Sequence, residues 1–279
     1  MRDFRRNKVM KIPIFVIVHN QYEMLKKSLY SYESQIDYPI EIVLHNANSK
    51  YQPTLDFLKE REGKGDKVYH SNNSCGLPNP NRWKHFEPSN GNIVVDTIRS
   101  YLSVNPKCKY IILTDPDVEL YNVRGNLIEA YIYLLNKYDV YGVGSALKLD
   151  DIPDHYPKKQ LAQRWERKFN KEPRIQEEFD NMKFELKRAP IDTTFHLVRA
   201  NDFISNFPEG KKTLNMHGNC VRVFEPYNAR HLDWYIDPNN MTDCEKYYAE
   251  NASDISHWNN PRFKGWKMKV RKKTRKTKP

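Results

Sequence analysis

The residues whose types and spacing could best perform chemistry are two aspartates separated by a proline. Asp115-Pro116-Asp117 directly follows the apolar run Tyr110–Thr114, and Glu119 comes two residues later. Two carboxylates at i and i+2 after a buried strand are suitable ligands for a hard divalent cation, bound directly or through water. Mg²⁺ or Mn²⁺ held there can bridge a pyrophosphate and stabilise it as a leaving group. A solvated Asp-Pro turn at the end of a strand is the alternative interpretation.

The elements that must position this pair are alternating strands and helices. Apolar runs predict five strands in the first 150 residues, at 12–18, 40–44, 67–70, 110–114 and 141–147. Apolar residues at helical spacing predict helices between them, at 22–32, 54–60, 93–102 and 126–138. Repeated β-α-β units indicate an α/β fold with a Rossmann-like, mostly parallel sheet flanked by helices.

Polar segments follow four of these strands, after Val18, Leu44, His70 and Thr114. In such sheets, ligands bind beyond the carboxyl ends of the strands. We therefore expect the four segments to converge on one crevice. The aspartate pair follows the fourth predicted strand, and this position favours the metal interpretation over the solvated turn.

The second half of the chain has a different pattern. Residues 151–190 are rich in charge, and Leu161, Trp165 and Phe169 at i, i+4 and i+8 predict a helix with a solvated face. Two short strands are predicted at 194–199 and 220–224, followed by an aromatic-rich stretch at 227–248. Its exposed aromatics could stack on sugar rings, or they could be buried as core.

Composition limits the class of protein. With 279 residues and 39% hydrophobic residues, the chain can bury a core, which excludes an intrinsically disordered protein. No apolar run approaches the roughly 20 residues that span a bilayer, so we expect a cytoplasmic protein. The four cysteines are scattered without a C-x-x-C motif, which predicts reduced thiols rather than a disulfide framework.

The positive charge is concentrated in residues 262–279. This segment holds ten Lys or Arg residues and no acid, and without it 36 basic residues face 35 acidic ones, a net charge of +1. A nearly neutral body argues against nucleic acid as the partner. Phe263, Trp266 and Val270 lie at helical spacing among the cations, so the segment could contact an anionic membrane surface peripherally. A disordered solubilising tail is the alternative.

Four segments in residues 12–150 carry a resemblance. They are Val18-His19-Asn20, residues 41–49, residues 72–76 and the Asp115/Asp117 pair, and in order and spacing they resemble family 2 glycosyltransferases, nucleotide-sugar enzymes of the GT-A fold. Residues 189–195 and 229–235 look like motifs of short glycosyltransferases from polysaccharide gene clusters and large DNA viruses. The resemblance implies one GT-A domain at 1–261 with a nucleotide-sugar half at 12–118, an acceptor half at 119–261, and a basic tail at 262–279.

The resemblance also implies an activity and a metal. It implies metal-dependent, inverting transfer of a sugar from a UDP- or GDP-sugar to a glycan or glycolipid hydroxyl. The pair Asp115 and Asp117 would hold Mn²⁺ or Mg²⁺. His231 would be a third ligand, with His257 as the alternative.

The remaining site residues implied by the resemblance lie on the donor and acceptor sides. The expected donor-side residues are His19, Asn20, His45, Asn46 and Asn73. The expected catalytic base is Asp192, with Asp233 as second choice. Two departures are visible: His45 stands where the family usually has an aspartate, and the usual Glu-Asp pair is absent.

Other functions remain open from the sequence. A haloacid-dehalogenase-like phosphatase also uses Asp-x-Asp after an apolar strand, although normally after the first one. A chitinase-like hydrolase would need a further aspartate where Ile112 stands. A non-catalytic module that binds glycans or nucleotide-sugars is the alternative outside enzymes. A dehydrogenase is poorly supported, because Gly142-Val143-Gly144 lacks a third glycine.

Overall fold

The computed structural model describes residues 10–72, 93–207 and 218–251. Its strands are β1 Ile12–Val18, β2 Ile40–Ala47, β3 Lys67–Ser71, β4 Tyr110–Thr114, β5 Val118–Leu120, β6 Gly142–Ser145, β7 Ile175–Phe179, β8 Met182–Arg188, β9 His196–Arg199, β10 Cys220–Val223 and β11 Ala229–His231. Its α-helices are α1 Tyr22–Gln35, α2 Gln52–Gly63, α3 Val94–Val104, α4 Leu127–Lys137, α5 Lys159–Asn170, α6 Ala200–Asn206 and α7 Asp243–Asn251. A short 3-10 helix spans Leu232–Tyr235.

Nine strands form one sheet in the order β3-β2-β1-β4-β9-β6-β10-β8-β7. The pairs β3–β2, β2–β1, β1–β4 and β6–β10 are parallel. Strand β9 is antiparallel to β4 and β6, and β8 is antiparallel to β10 and β7. Seven of these nine strands therefore run in one direction, which confirms the predicted α/β fold with a mostly parallel sheet.

Helices cover both faces of the sheet because its central strands are buried on both sides. In β1, Ile14 and Val16 pack into the cluster that contains residues of α1, α2 and α4, whereas Phe15 and Ile17 pack into the cluster with α3 and α6. Alternate residues of a strand point to opposite faces, so a continuous apolar run supplies both clusters. The predicted stripe on α4 is confirmed, since its apolar residues are buried in the first cluster.

The sequence prediction was wrong about two segments. Strand β2 was expected to end at Leu44, but it continues to Ala47, so His45 and Asn46 lie in a strand rather than a loop. Pairing with β1 and β3 on both sides extends the strand through these polar residues. The helix predicted within 151–190 ends at Asn170, and the remainder forms the β7–β8 hairpin.

A two-residue turn makes that hairpin. Asp180 and Asn181 have φ of 51° and 58°, between the paired residues Phe179 and Met182. Two successive positive φ values match the right-handed twist of a tight hairpin, and Asp and Asn tolerate them better than most residues. The alternation of buried Phe184 and Leu186 on β8 then turns one face towards the core.

Several expectations fall outside the described residues: the donor-side residue Asn73, the alternative ligand His257 and the basic tail at 262–279. Among the described cysteines, Cys108, Cys220 and Cys244 are free thiols. No helix within the described ranges combines the length and the apolar character needed to cross a bilayer.

Candidate active site

The aspartate pair lies where the main sheet meets a second, two-stranded sheet. Asp115 follows β4, and Asp117 immediately precedes β5, which pairs with β11. The backbone N–H of Asp115 donates to the carbonyl of Thr193 at 2.8 Å, and the Thr193 hydroxyl donates to the Asp115 carboxylate. Gln21, just after β1, donates to the Asp117 carboxylate at 3.3 Å. The ends of β1 and β4 therefore meet at these two carboxylates.

The two carboxylates are held at an electrostatic cost. Burial raises the pKa of Asp115 well above its usual value, and the charges of Asp117 and Asp192 raise it further. Burial also raises the pKa of Asp117, and Asp233 adds to that effect while His231 opposes it. Like charges brought together in a partly desolvated place disfavour their ionised forms, and a bound cation removes that penalty.

The pairing of β5 with β11 brings His231 close to Asp117. His231 lies opposite Val118 in the register, and its Nδ1 is 3.5 Å from Asp117 Oδ2. Its ring stacks on Trp234 with centroids 4.7 Å apart and an interplanar angle of 13°. In the part of the chain that the structure describes, no three or more His, Cys, Asp or Glu side chains are grouped to hold a metal ion. His231 as third metal ligand therefore stays a prediction.

The two candidate bases differ in exposure. Asp192 is exposed and lies one residue before Thr193, so it stands beside Asp115. Asp233 is only 3% exposed, and its carboxylate is 2.5 Å from Lys158 Nζ in a buried ion pair. A base must reach an incoming hydroxyl, and the exposed Asp192 meets that requirement better than Asp233 does.

A second buried ion pair beside the site is not foreseen by the sequence reasoning. Arg222 on β10 lies 2.8 Å from the Glu166 carboxylate on α5, and both side chains are almost completely buried. Arg222 also donates from Nε to the carbonyl of Pro190 at 2.9 Å, two residues before Asp192. One sequence signal could have indicated this pair: Glu166 lies four residues after Ala162, on the apolar face of α5, where a carboxylate needs a buried partner.

Two buried ion pairs thus fix α5 beside the carboxylates. Lys158, at the start of the helix, pairs with Asp233, and Glu166 in its third turn pairs with Arg222. Removing one member of a buried pair is costly because its partner is left charged and desolvated. The position of α5 relative to β10 and the Leu232–Tyr235 helix is therefore strongly determined.

The loops after β1 and β2 are joined by the predicted donor-side residues His19 and Asn20. His19 Nδ1 is 2.6 Å from the carbonyl of Ala47, and its Nε2 is 2.8 Å from Asn20 Nδ2. Asn20 Oδ1 accepts from the backbone N–H groups of Lys50 and Tyr51 at 2.6 and 2.9 Å. Asn20 has φ of 54°, a left-handed conformation that Asn adopts readily.

The other donor-side residues lie deeper. His45 has no exposed surface, and its Nδ1 is 2.9 Å from the Thr97 hydroxyl on α3. Burial lowers the pKa of His45 to about 4. Asn46 bonds His70 at 3.0 Å and accepts from the backbone N–H of Ser49. His45 and Asn46 therefore support the ends of the strands, and a nucleotide contact by either residue stays a prediction.

The aromatic residues in 227–248 could form a sugar-binding platform or be buried as core, and the structure favours burial for several of them. Trp234 is 1% exposed and belongs to the main core, whereas Tyr235 is half-buried and donates its hydroxyl to Asp151 at 2.5 Å. Tyr247 packs on Tyr51 with centroids 4.7 Å apart. These rings pack and bond within the protein rather than forming an open platform.

Comparison with known proteins gives weak likenesses. No family model matches the chain, and no curated protein matches it. Among solved structures, TarS 1–349 of S. aureus in complex with UDP-GlcNAc is 14% identical, with 90% of this chain and 68% of that chain covered and a TM-score of 0.43. The mannosyltransferase PcManGT of Pyrobaculum calidifontis, in complex with GDP-Man and Mn²⁺, is 10% identical, with coverages of 96% and 76% and a TM-score of 0.39.

A third likeness is of the same strength. Glucosyl-3-phosphoglycerate synthase of Mycobacterium tuberculosis, in complex with Mn²⁺ and UDP-glucose, is 9% identical, with 88% of this chain and 79% of that chain covered and a TM-score of 0.38. At such identities and TM-scores, no activity, substrate or metal transfers to this chain. Its function has to be inferred from its own residues.

Proposed function

We propose that this protein is a metal-dependent glycosyltransferase that moves a sugar from a nucleoside-diphosphate donor to a hydroxyl acceptor, with inversion. The observation that carries the proposal is the arrangement of Asp115, Asp117 and Asp192. Two adjacent carboxylates lie beyond the carboxyl end of a central strand, and an exposed third one stands next to them. Ligands bind at this edge of open α/β sheets.

The donor set fits a divalent cation. Mg²⁺ in phosphate-transfer sites is commonly held by one or two carboxylates together with substrate phosphates. Asp115 and Asp117 supply such carboxylates, and burial raises the pKa of both, so a cation there relieves an existing cost. When bound, the cation would supply positive charge to the diphosphate oxygens of the donor.

The reaction assigns a separate task to Asp192. The acceptor oxygen attacks the anomeric carbon while the bond from that carbon to the diphosphate oxygen breaks, and the diphosphate leaves with the electron pair. The Asp192 carboxylate takes the proton of the attacking hydroxyl. The hydrogen bonds of Thr193 with Asp115 fix the backbone next to Asp192. For inversion, the Asp192 carboxylate would have to face the acceptor, opposite the leaving diphosphate.

The test is thermal unfolding with nucleoside diphosphates and their sugars, each with Mn²⁺, Mg²⁺ or EDTA. A ligand at 100 times its dissociation constant stabilises the folded state by about 2.7 kcal/mol. We expect one nucleotide class to stabilise the protein only when metal is present. Asp117→Asn should abolish that stabilisation without unfolding the protein, because Asn keeps the shape and removes the metal-binding charge.

Asp139→Asn is the matched control. Asp139 is exposed, lies between α4 and β6 at the opposite edge of the sheet, and has φ of 45°, which Asn also adopts. It should leave the nucleotide response unchanged. If no nucleotide stabilises the wild-type protein with either metal, the proposal fails, and a phosphatase assay then tests the dehalogenase-like alternative. Stabilisation without any transfer to a panel of hydroxyl acceptors would favour the binding module.

A further inference from the structure

Four cations lie on the outer face of α5 and at its C-terminal cap. Arg164, Arg167 and Lys168 stand at i, i+3 and i+4, the spacing that places residues on one side of a helix, and Lys171 follows as the cap residue, where the backbone is extended. All four are exposed, and none forms an ion pair with another of the described residues. We refer to these four residues as the α5 stripe.

The only acidic residue of α5, Glu166, lies on the opposite face of the helix. Glu166 points inward with Ala162 and Phe169, and its charge is matched by Arg222. The α5 stripe therefore has no neutralising carboxylate on its own helix. By contrast, the exposed cation Lys137 on α4 pairs with Glu177 at 2.8 Å. An unneutralised row of cations creates a local field that attracts an anionic partner.

An exposed aromatic residue borders the stripe. Trp165 is 40% exposed, and Lys168 Nζ lies 4.3 Å from the centre of its ring. A tryptophan face can pack against the apolar C–H face of a sugar ring, while neighbouring cations donate hydrogen bonds to acidic substituents of the same ring. This pairing fits an acidic glycan better than it fits a neutral one.

The helix also connects the stripe to the site. Its first end reaches the carboxylates, since Lys158 bonds Asp233. At a rise of 1.5 Å per residue, Arg164 lies about 9 Å and Lys168 about 15 Å further along the helix axis. The middle of α5 also lies near the site, because Glu166 pairs with Arg222, and Arg222 bonds the carbonyl of Pro190 two residues before Asp192.

We propose that the α5 stripe, with Trp165, binds an elongated acidic glycan, and that this glycan is the acceptor. This inference rests on the proposed function, because it names the acceptor class of the same site. The acidic repeats lie along α5 and a hydroxyl of the terminal unit enters beside Asp192.

The probe is an oligogalacturonide of about ten units, with a dextran oligomer of equal length as the neutral comparison. Binding is measured on the full chain by titration calorimetry at two salt concentrations. The test variant replaces the four stripe residues by Gln. The control variant makes the same charge change at exposed positions elsewhere: Lys26, Lys59, Lys107 and Lys109.

We expect the stripe variant to lose roughly tenfold or more in affinity for the acidic oligomer, with most of the salt dependence. The control variant should change less than about twofold, since screening separates its charges from the bound chain. Dextran should bind no variant measurably. Trp165→Ala, with all four cations kept, should also weaken acidic-oligomer binding, which a purely electrostatic attraction would not produce.

Two results overturn the proposal. One is an equal loss in the stripe and control variants, which indicates non-specific attraction. The other is stripe-dependent binding to vesicles with 30% anionic lipid, or to an oligothymidylate, together with glycan binding that ignores the stripe. The metal-dependent thermal shift with nucleotides is measured in the same variants, and it distinguishes failure of the proposed function from failure of the proposed acceptor class. If the wild type shows no shift, the proposed function is refuted. If the shift is normal but glycan binding does not depend on the stripe, only the acceptor class is refuted.

Discussion

Two neighbouring regions at the same edge of the sheet differ in whether their buried polar groups stabilise the fold. In the loops after β1 and β2, Asn20 bonds two backbone N–H groups and His19 bonds a backbone carbonyl. At the end of β4, by contrast, Asp115 and Asp117 are brought together with their pKa raised by burial. The first region gains stability from its polar side chains, and the second region loses some to them.

This difference distinguishes residues that position the strand ends from residues that could act on a substrate. A polar group whose bonds are all satisfied within the protein has little left to offer a substrate, whereas like charges held together at a cost are typical of functional sites. We therefore expect substitutions in the β1–β2 loops to lower stability first, and substitutions of the carboxylates to lower activity first.

The largest effect is expected for Asp192→Asn. General-base catalysis contributes about 10²–10⁴-fold, so transfer should fall by that factor while metal-dependent nucleotide binding stays unchanged. The measurement is the rate of sugar transfer at saturating donor, with the thermal shift as the binding readout. Transfer at the wild-type rate would show that Asp192 is not the base, and Asp233 would be the next candidate.

The next effect concerns the ion pair that fixes α5. Glu166→Gln leaves the Arg222 guanidinium buried without its counter-charge, and we expect the free energy of unfolding to drop by about 3–5 kcal/mol. Urea unfolding followed by circular dichroism measures it. The double variant Glu166→Leu with Arg222→Met should recover much of the loss, because an apolar pair replaces an ionic one.

Glu225→Gln is the exposed comparison for that prediction. The carboxylate of Glu225 pairs with Lys148, but it is mostly solvated. Its loss should cost about 1 kcal/mol or less, as exposed ion pairs do. Equal effects at Glu166 and Glu225 would mean that α5 is not held by its buried charges.

Asn20→Ala should cost about 2 kcal/mol, since it leaves the backbone N–H groups of Lys50 and Tyr51 without their acceptor. Asn122→Ala is the matched control, because Asn122 is exposed and has the same φ of 54°. The difference between the two variants in urea unfolding isolates the hydrogen bonds from the backbone strain. If the costs are equal, Asn20 is not needed to join the loops, and a substrate contact becomes its better explanation.

The sequence predicts the regions with strong periodicity and misses those that depend on partners. The apolar runs of β1 and β4 and the stripe on α4 are predicted correctly because one segment contains the whole signal. The β5–β11 pairing and the Glu166–Arg222 pair are missed because each joins residues more than 50 positions apart. No local pattern records such a contact.

The site shows the same division. Asp115 and Asp117 are found from their spacing after a strand, whereas Gln21 and Thr193, which bond them, have no motif of their own. His45 is the instructive error. A polar residue after an apolar run predicts a loop, but Thr97 of α3 supplies the hydrogen bond that lets His45 remain inside β2.

That buried position of His45 predicts the smallest effect, a pH dependence of stability. Its pKa is lowered by burial to about 4, from an ordinary value of 6.5. Between these values the unfolded chain binds the proton and the folded chain does not, so stability falls as the pH drops through this window. The slope from one such group reaches about 1.4 kcal/mol per pH unit.

The measurement is urea unfolding from pH 7 to pH 4 for the wild type and for His45→Asn, in which the amide replaces Nδ1 as the partner of Thr97. All other groups titrate in both proteins, including His19, whose pKa burial also lowers. The difference between the two profiles therefore belongs to His45. We expect the variant to lose less stability on acidification. Parallel profiles would show that His45 is protonated as easily in the folded chain as in the unfolded one, and would place it with the groups exposed to solvent and ligand.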